Sequence, residues 1–287
     1  MRNRKLRILA VVMFLILSVG IVSAHDEAEP VTIRFAAMVG DLPAACGITY
    51  SGLGTEASQV SLNDFRFYIS NVRLIDADGQ ETAVELTQDG LWQYENVALL
   101  DFEDGTAGCG EAGNPEMNSR IIGEVHEGDY VGIAFDLGVP FELNHLDTTT
   151  APAPLNVPAM WWNWQFGYKF VRIDMLIADS ELPAWFIHLG STGCEAADSS
   201  TAPEEPCSNA NVVAVQLDNF DATQNFIIAD LSELLAQVNL TENSPEPPGC
   251  MSLPEDPDCG GLFTGFGLAL DTGTMLEDQA QHFFQVR

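Results

Sequence analysis

Apolar and polar residues alternate along much of this chain, and the alternation has the two-residue period of half-buried strands. The runs "VTIRFAA" (31–37), "DFRFYISNVRLI" (64–75) and "TAVELTQ" (82–88) show it first. It continues through "DYVGIAFDLGVP" (129–140), "YKFVRIDMLI" (168–177), "AWFIHLG" (184–190), "NVVAVQLDNF" (211–220) and "GLFTGFGLAL" (261–270). Asp78-Gly79 separates two alternating runs and predicts a hairpin turn. Only "IIADLSELLAQVNL" (227–240) has helical spacing, which predicts one short helix around 229–237. Many short strands punctuated by Gly, Pro and Asp imply an all-β fold, a β-sandwich with long loops. The stretches 104–119, 195–210 and 241–261 read as loops inserted between strands, so residues 25–287 are expected to form a single domain.

The first 24 residues stand apart from this pattern. "MRNRKLR" is a basic n-region, "ILAVVMFLILSVGI" an apolar h-region and "VSA" a small-residue cleavage signal, so residues 1–24 read as a signal peptide. No later apolar run approaches the roughly 18 residues of a membrane span, and no membrane insertion is expected. The predicted location is periplasmic or secreted.

Export sharpens the charge. Four of the 11 basic residues (Arg2, Arg4, Lys5, Arg7) leave with the signal, so 7 bases face 42 acids and the formal charge moves from −31 to −35. Such a surface repels nucleic acid, which is excluded as a partner, and it suits cations or a basic protein. Six cysteines in an exported chain point to disulfides rather than thiolate metal sites, and no C-x-x-C unit occurs. Of 15 possible pairings, loop length favours Cys194 with Cys207 and Cys250 with Cys259, which leaves Cys46 with Cys109.

Catalytic motifs are sparse. "LALDTGTM" (268–275) resembles the aspartic-protease presentation of a carboxylate, but there is no second Asp-Thr-Gly to share the proton. "HLGSTGC" (188–194) lacks the nucleophile-elbow spacing, and "DADG" (76–79) lacks the downstream glutamate of a calcium loop. No enzymatic activity is predicted.

The histidines and tryptophans say more. Of five histidines, His126 and His282 read as surface residues, whereas His188 lies on an apolar strand and His145 just before a proline-rich loop. His25, first after the predicted cleavage, would offer an α-amine and an imidazole as a chelating pair for copper. Three of the five tryptophans crowd into "PAMWWNWQFGYKF" (158–170). As a strand, this segment would put Met160, Trp162 and Trp164 on one face and Trp161 with Asn163 on the other. Lys169 and Arg172, just downstream, are expected to pair with acids or stack on the rings.

Taken in order, "DFRFYISNVRL" (64–74), "VALLDFE" (97–103), "LGVPFELNH" (137–145), "MWWNWQFGYKF" (160–170), "FIHLGSTGC" (186–194) and "GCMS" (249–252) resemble the MbnP-like family, the metallo-mystery pair four-cysteine-motif proteins. The resemblance covers most of the chain after residue 24. It implies an exported protein binding copper as Cu(I) or Cu(II), with one tryptophan oxidised to kynurenine by a di-haem cytochrome c peroxidase-like partner. By position, Trp162 and Trp164 are the candidate kynurenine sites. His145 and His188 are the preferred metal ligands, followed by His25 and Met160. Two other readings compete: a secreted ligand- or carbohydrate-binding β-sandwich, and a copper oxidase with an N-terminal histidine brace at His25.

Overall fold

The computed structural model describes residues 28–110, 115–244 and 247–287. The predicted signal peptide and His25 therefore lie outside the described residues. Two sheets face each other. The smaller is ordered Phe284–Val286, Ile227–Asp230, Ala28–Val39, Arg120–His126 and Glu85–Leu86. The larger is ordered Val213–Asp218, Tyr130–Leu137, Ser58–Asp76, Val171–Ile177, Ala184–Leu189 and Gly249–Cys250, with short strands added along its central member. That central member, Ser58–Asp76, runs 19 residues and meets five other strands.

Phenylalanines lock the sandwich together. Phe35 of the smaller sheet meets Phe67 and Phe135 of the larger edge-on, at 6.3 and 5.9 Å between ring centres. Phe284 closes on Phe135 at 5.1 Å and on Phe67 at 5.6 Å. Such edge-to-face pairs add to the hydrophobic gain of burying the rings. Strand alternation aims Phe65 and Phe67 into this core, so Asp64, Arg66 and Tyr68 take the opposite face.

Three disulfides, Cys46–Cys109, Cys194–Cys207 and Cys250–Cys259, match the loop-length pairing. No cysteine among the described residues is free, and no helix there is long and apolar enough to cross a membrane.

The structure differs from the sequence reading in four places. The run 261–270 is not a strand: Gly260–Phe266 is helical. Its apolar residues Leu262, Phe263 and Phe266 fit a helix face as well as alternation, and glycines decide the outcome. A Cβ on Gly265 would strike the Leu234 carbonyl and one on Gly261 the Gln237 backbone, so this helix packs against the preceding one with backbone nearly in contact. Second, the helix expected at 229–237 shortens to Leu231–Leu234, capped by the Asp230 side chain, because Ile227–Asp230 is drawn into the sheet beside Ala28–Val39. With Phe141–Asn144 the short α-helices number three among the described residues, not one. Third, the run 82–88 splits. Glu81–Ala83 pairs with the central strand, while Glu85–Leu86 crosses to the other sheet and pairs with Arg120–His126. Fourth, the tryptophan segment is a hairpin rather than one strand.

Candidate metal and tryptophan site

The tryptophan segment begins with a single 3-10 turn, Pro158–Met160, and then forms a two-stranded hairpin of Trp161–Asn163 with Gly167–Tyr168. Asn163 closes the turn by accepting the Phe166 N–H at 2.9 Å. Gly167 has φ +71°, and a Cβ there would overlap Asn144. Asn144 in turn accepts the Tyr168 N–H at 2.9 Å, tying the hairpin to the short helix that ends beside His145. The turn breaks the predicted alternation. Trp164 swings back to pack edge-on against Trp161, at 4.9 Å between ring centres, and Trp162 is left on its own. All three indoles are half-buried rather than sealed in the core.

Trp162 lies over Gly190, where any side chain would collide with the indole. Its ring meets His188 edge-on at 6.4 Å, and the Lys169 ammonium sits 5.9 Å from the ring centre. Lys169 also donates to the Ala159 carbonyl at 2.9 Å, which fixes it beside the indole. His188 stacks flat on Phe186 at 5.4 Å and donates through Nε2 to Asp174 Oδ1, 2.7 Å away.

A chain of buried ions runs along the outer face of the larger sheet and meets the tryptophan segment where Arg172 donates to the Ala159 carbonyl at 2.9 Å. Glu103 lies 3.8 Å from Arg66, which pairs with Asp64. Asp64 lies 3.1 Å from Arg172, Arg172 lies 2.6 Å from Asp174, and Asp174 reaches His188. Cross-strand register explains the alignment: Arg172 is opposite both Arg66 and His188, and Asp174 is opposite Asp64. Burial drives Asp64 up to about 6 against the pull of Arg66 and Arg172. Burial, with the neighbouring charge of Glu103, drives Asp101 up to about 7 although Arg66 opposes it. Asp174 goes the other way: burial raises it, but His188 and Arg172 outweigh that and hold it at about 2. Burial lowers His188, aided by Lys169 and Arg172 and opposed by Asp174, and burial with Arg172 lowers Lys169 to about 8. A neutral His188 facing an ionised Asp174 carries its proton on Nε2. Its Nδ1 then presents a lone pair, and no protein group among the described residues hydrogen-bonds to it.

His145 is held in the other tautomer. Its Nδ1 donates to the Trp164 carbonyl at 2.9 Å, so Nε2 carries the lone pair, and burial lowers its pKa. Nε2 has Asn144 Nδ2 at 3.3 Å and Cys207 Sγ at 3.7 Å.

Among the described residues, no hydrogen bond or ring contact joins His145 to His188. The chain from 188 to 194 orders what lies between them. His188 comes first, then Gly190 under Trp162, then Ser191 touching Asn144 at 3.4 Å, then Cys194 beside His145. Trp162 thus belongs to the His188 end of this segment, and the Trp164 carbonyl to the His145 end. Met160 is fully buried and its carbonyl receives the Lys169 N–H, while His126 and His282 are exposed as expected. Sequence reasoning missed Asp64, Arg66 and Asp174. Their signal was present, as polar positions of alternating strands, but alternation alone assigns such positions to solvent.

The class of protein is now defined: a disulfide-stapled β-sandwich with a tryptophan hairpin joined to a buried ionic chain and flanked by two tautomer-fixed histidines. The chain belongs to the MbnP family, whose model matches residues 28–252. It is similar to the solved structure of MbnP from Methylosinus trichosporium, with 32% identity, 91% of this chain and 98% of that one covered, and a TM-score of 0.82. No curated protein sequence gives a match.

Proposed function

We propose that the chain is an exported, non-enzymatic copper-binding protein in which Trp162 is oxidised to kynurenine by a di-haem cytochrome c peroxidase-like partner. The observation carrying this reading is the His188 environment. Asp174 fixes one imidazole nitrogen, the other keeps an open lone pair, and the only tryptophan of the hairpin without an indole partner sits beside it. A carboxylate behind the distal nitrogen is how proteins orient and strengthen a histidine ligand. His145 meets the same test through the Trp164 carbonyl. Copper(I) accepts imidazole and thioether donors at low coordination number, so His188, His145, Met160 and His25 are chemically suitable.

Trp162 rather than Trp164 is the residue to be modified, because Trp164 packs on Trp161 and only its backbone meets a histidine. Cleavage breaks the indole C2–C3 bond. Each of two peroxide molecules, activated at the partner's haem, delivers one oxygen atom and leaves as water. Hydrolysis then releases C2 as formate, leaving a ketone and an aromatic amine. Those groups, formed beside His188, would supply a donor that the unmodified indole lacks, so copper binding would depend on the modification. Lys169, close to the ring, disfavours positive charge on the indole, so a strong oxidant is required.

The test is copper stoichiometry after co-expression with the haem partner. Modified protein binds copper, and His188→Ala loses it while still folding. Retention of the metal by His188→Ala would overturn the reading. The geometry gives no support to carbohydrate stacking, since Trp161 and Trp164 pack edge-on and present no flat platform.

A further inference from the structure

We propose that the Cys194–Cys207 disulfide masks a second soft-metal site, which reduction opens as two thiolates and the His145 imidazole. The three donor atoms, both sulfurs and one His145 nitrogen, already lie within 4.8 Å of one another. The Trp164 carbonyl occupies Nδ1, so the nitrogen 3.7 Å from Cys207 Sγ is the one with the lone pair. Asn144 Nδ2, at 3.3 Å, is a long and easily displaced donor to it.

The ligands do not depend on the disulfide to stay together. Beside Cys194 and Cys207 the backbone is laddered by three hydrogen bonds: Thr192 N–H to Asn209 O at 2.9 Å, Asn209 N–H to Thr192 O at 3.1 Å, and Ser208 N–H to Gly193 O at 3.2 Å. Gln165 adds a bond from its amide to the Cys194 carbonyl at 2.9 Å. Breaking the S–S bond therefore leaves both sulfurs close to His145. The other disulfide with a nearby donor differs. Asp256, beside Cys250 and Cys259, spends its carboxylate on the Met251 and Asp258 N–H groups at 2.9 and 3.0 Å.

The chemistry balances as a two-electron reduction. A dithiol reductant gives two electrons and two protons to the disulfide and becomes a disulfide itself. A soft d10 cation such as Cu(I) then displaces the two thiol protons and takes a sulfur–sulfur–nitrogen set, which suits such ions. In an oxidising setting the site stays closed, and in a reducing one it opens.

The proposal shares His145 with the proposed copper site but does not rest on Trp162, His188 or the modification, so its test is made on unmodified protein. The protein is reduced anaerobically under native conditions, its fold is checked by circular dichroism, and Cu(I) is titrated while the thiolate-to-copper absorption is followed. One equivalent of thiolate-bound Cu(I) is expected in the reduced protein and none in the oxidised one. The Cys194→Ser/Cys207→Ser variant, reduced identically, should lose that signal, since any contribution of the other cysteines persists in it. His145→Ala should keep the absorption and lose affinity by more than about tenfold, whereas His188→Ala should leave both unchanged. A signal undiminished in the double serine variant, or its absence from the reduced wild type, would overturn the proposal. Unfolding on reduction would do so as well, because the backbone ladder is required to hold the ligands unaided.

Discussion

The central strand shows two different ways of filling the space beside a sheet. On one face Phe65 and Phe67 join the phenylalanine core, where removal from water supplies the stabilisation. On the other, Asp64 and Arg66 are just as buried, yet they are charged and lie among Glu103, Arg172 and each other instead of solvent. The first face costs nothing to dehydrate. The second has to recover the desolvation of several ions through mutual attraction and hydrogen bonds, which at best breaks even against a well-packed apolar core. An ionic face kept at that cost, and ending on His188 beside Trp162, is better understood as orienting the site than as stabilising the fold.

The comparison can be broken from either side. Arg66→Met strands the carboxylates that surround the guanidinium and should cost about 3–5 kcal/mol in urea unfolding. Phe67→Leu, on the opposite face, keeps the core apolar and should cost less than about 1.5 kcal/mol. Equal losses would mean that the ionic face is ordinary packing.

Next in size is Gly190→Ala. The added methyl would meet the Trp162 ring and the Tyr168 carbonyl, so the hairpin must lift, at about 1–3 kcal/mol and with a red-shifted tryptophan emission. An unchanged spectrum would show that Trp162 does not rest on the strand.

Asp174→Asn frees the His188 tautomer and should weaken copper binding about 10–100-fold in protein whose fold is checked by circular dichroism. Unaltered affinity would remove the carboxylate from the site.

A further effect is in pH. Asp64 and Asp101 bind protons more tightly folded, at about 6 and about 7, than unfolded, at 3.8. Their contribution is therefore fully present below pH 4 and declines as pH rises toward 7. Asp174, held at about 2, contributes above pH 4 and loses that contribution as pH falls toward 2. The pH dependence of the unfolding midpoint should therefore differ between the wild type and Arg66→Met, the buried carboxylates opposing the trend of His145 and His188, whose lowered pKa values favour the folded state at higher pH. Identical profiles for the two proteins would refute the assignment.

The strands were legible because period-two alternation depends only on which face each residue takes. Val171–Ile177 and Ala184–Leu189 fall inside their predicted runs for that reason. The 260–266 helix was not, because its contact with the Leu231–Leu234 helix depends on where glycines let two backbones approach, and spacing along the chain carries no such information. At the site, Trp162, His188 and Lys169 were singled out from composition and resemblance, and the structure places them together. The pairing of Trp161 with Trp164 was hidden, since a four-residue turn set by Asn163 reverses the faces that a continuous strand would give. Asp64 and Arg66 were hidden differently. A charged residue on the polar face of a strand looks solvated until a distant partner such as Arg172 is known to pair with it.

The most direct measurement is peptide mapping by tandem mass spectrometry of copper-competent protein, obtained with its haem partner, across Met160–Phe170. One carbon lost and one oxygen gained at Trp162, with Trp161 and Trp164 intact, is the expected result. The same change at Trp164 or Trp161, or three unaltered indoles in protein that still binds copper, would contradict the assignment of the His188–Trp162 end as the chemical site.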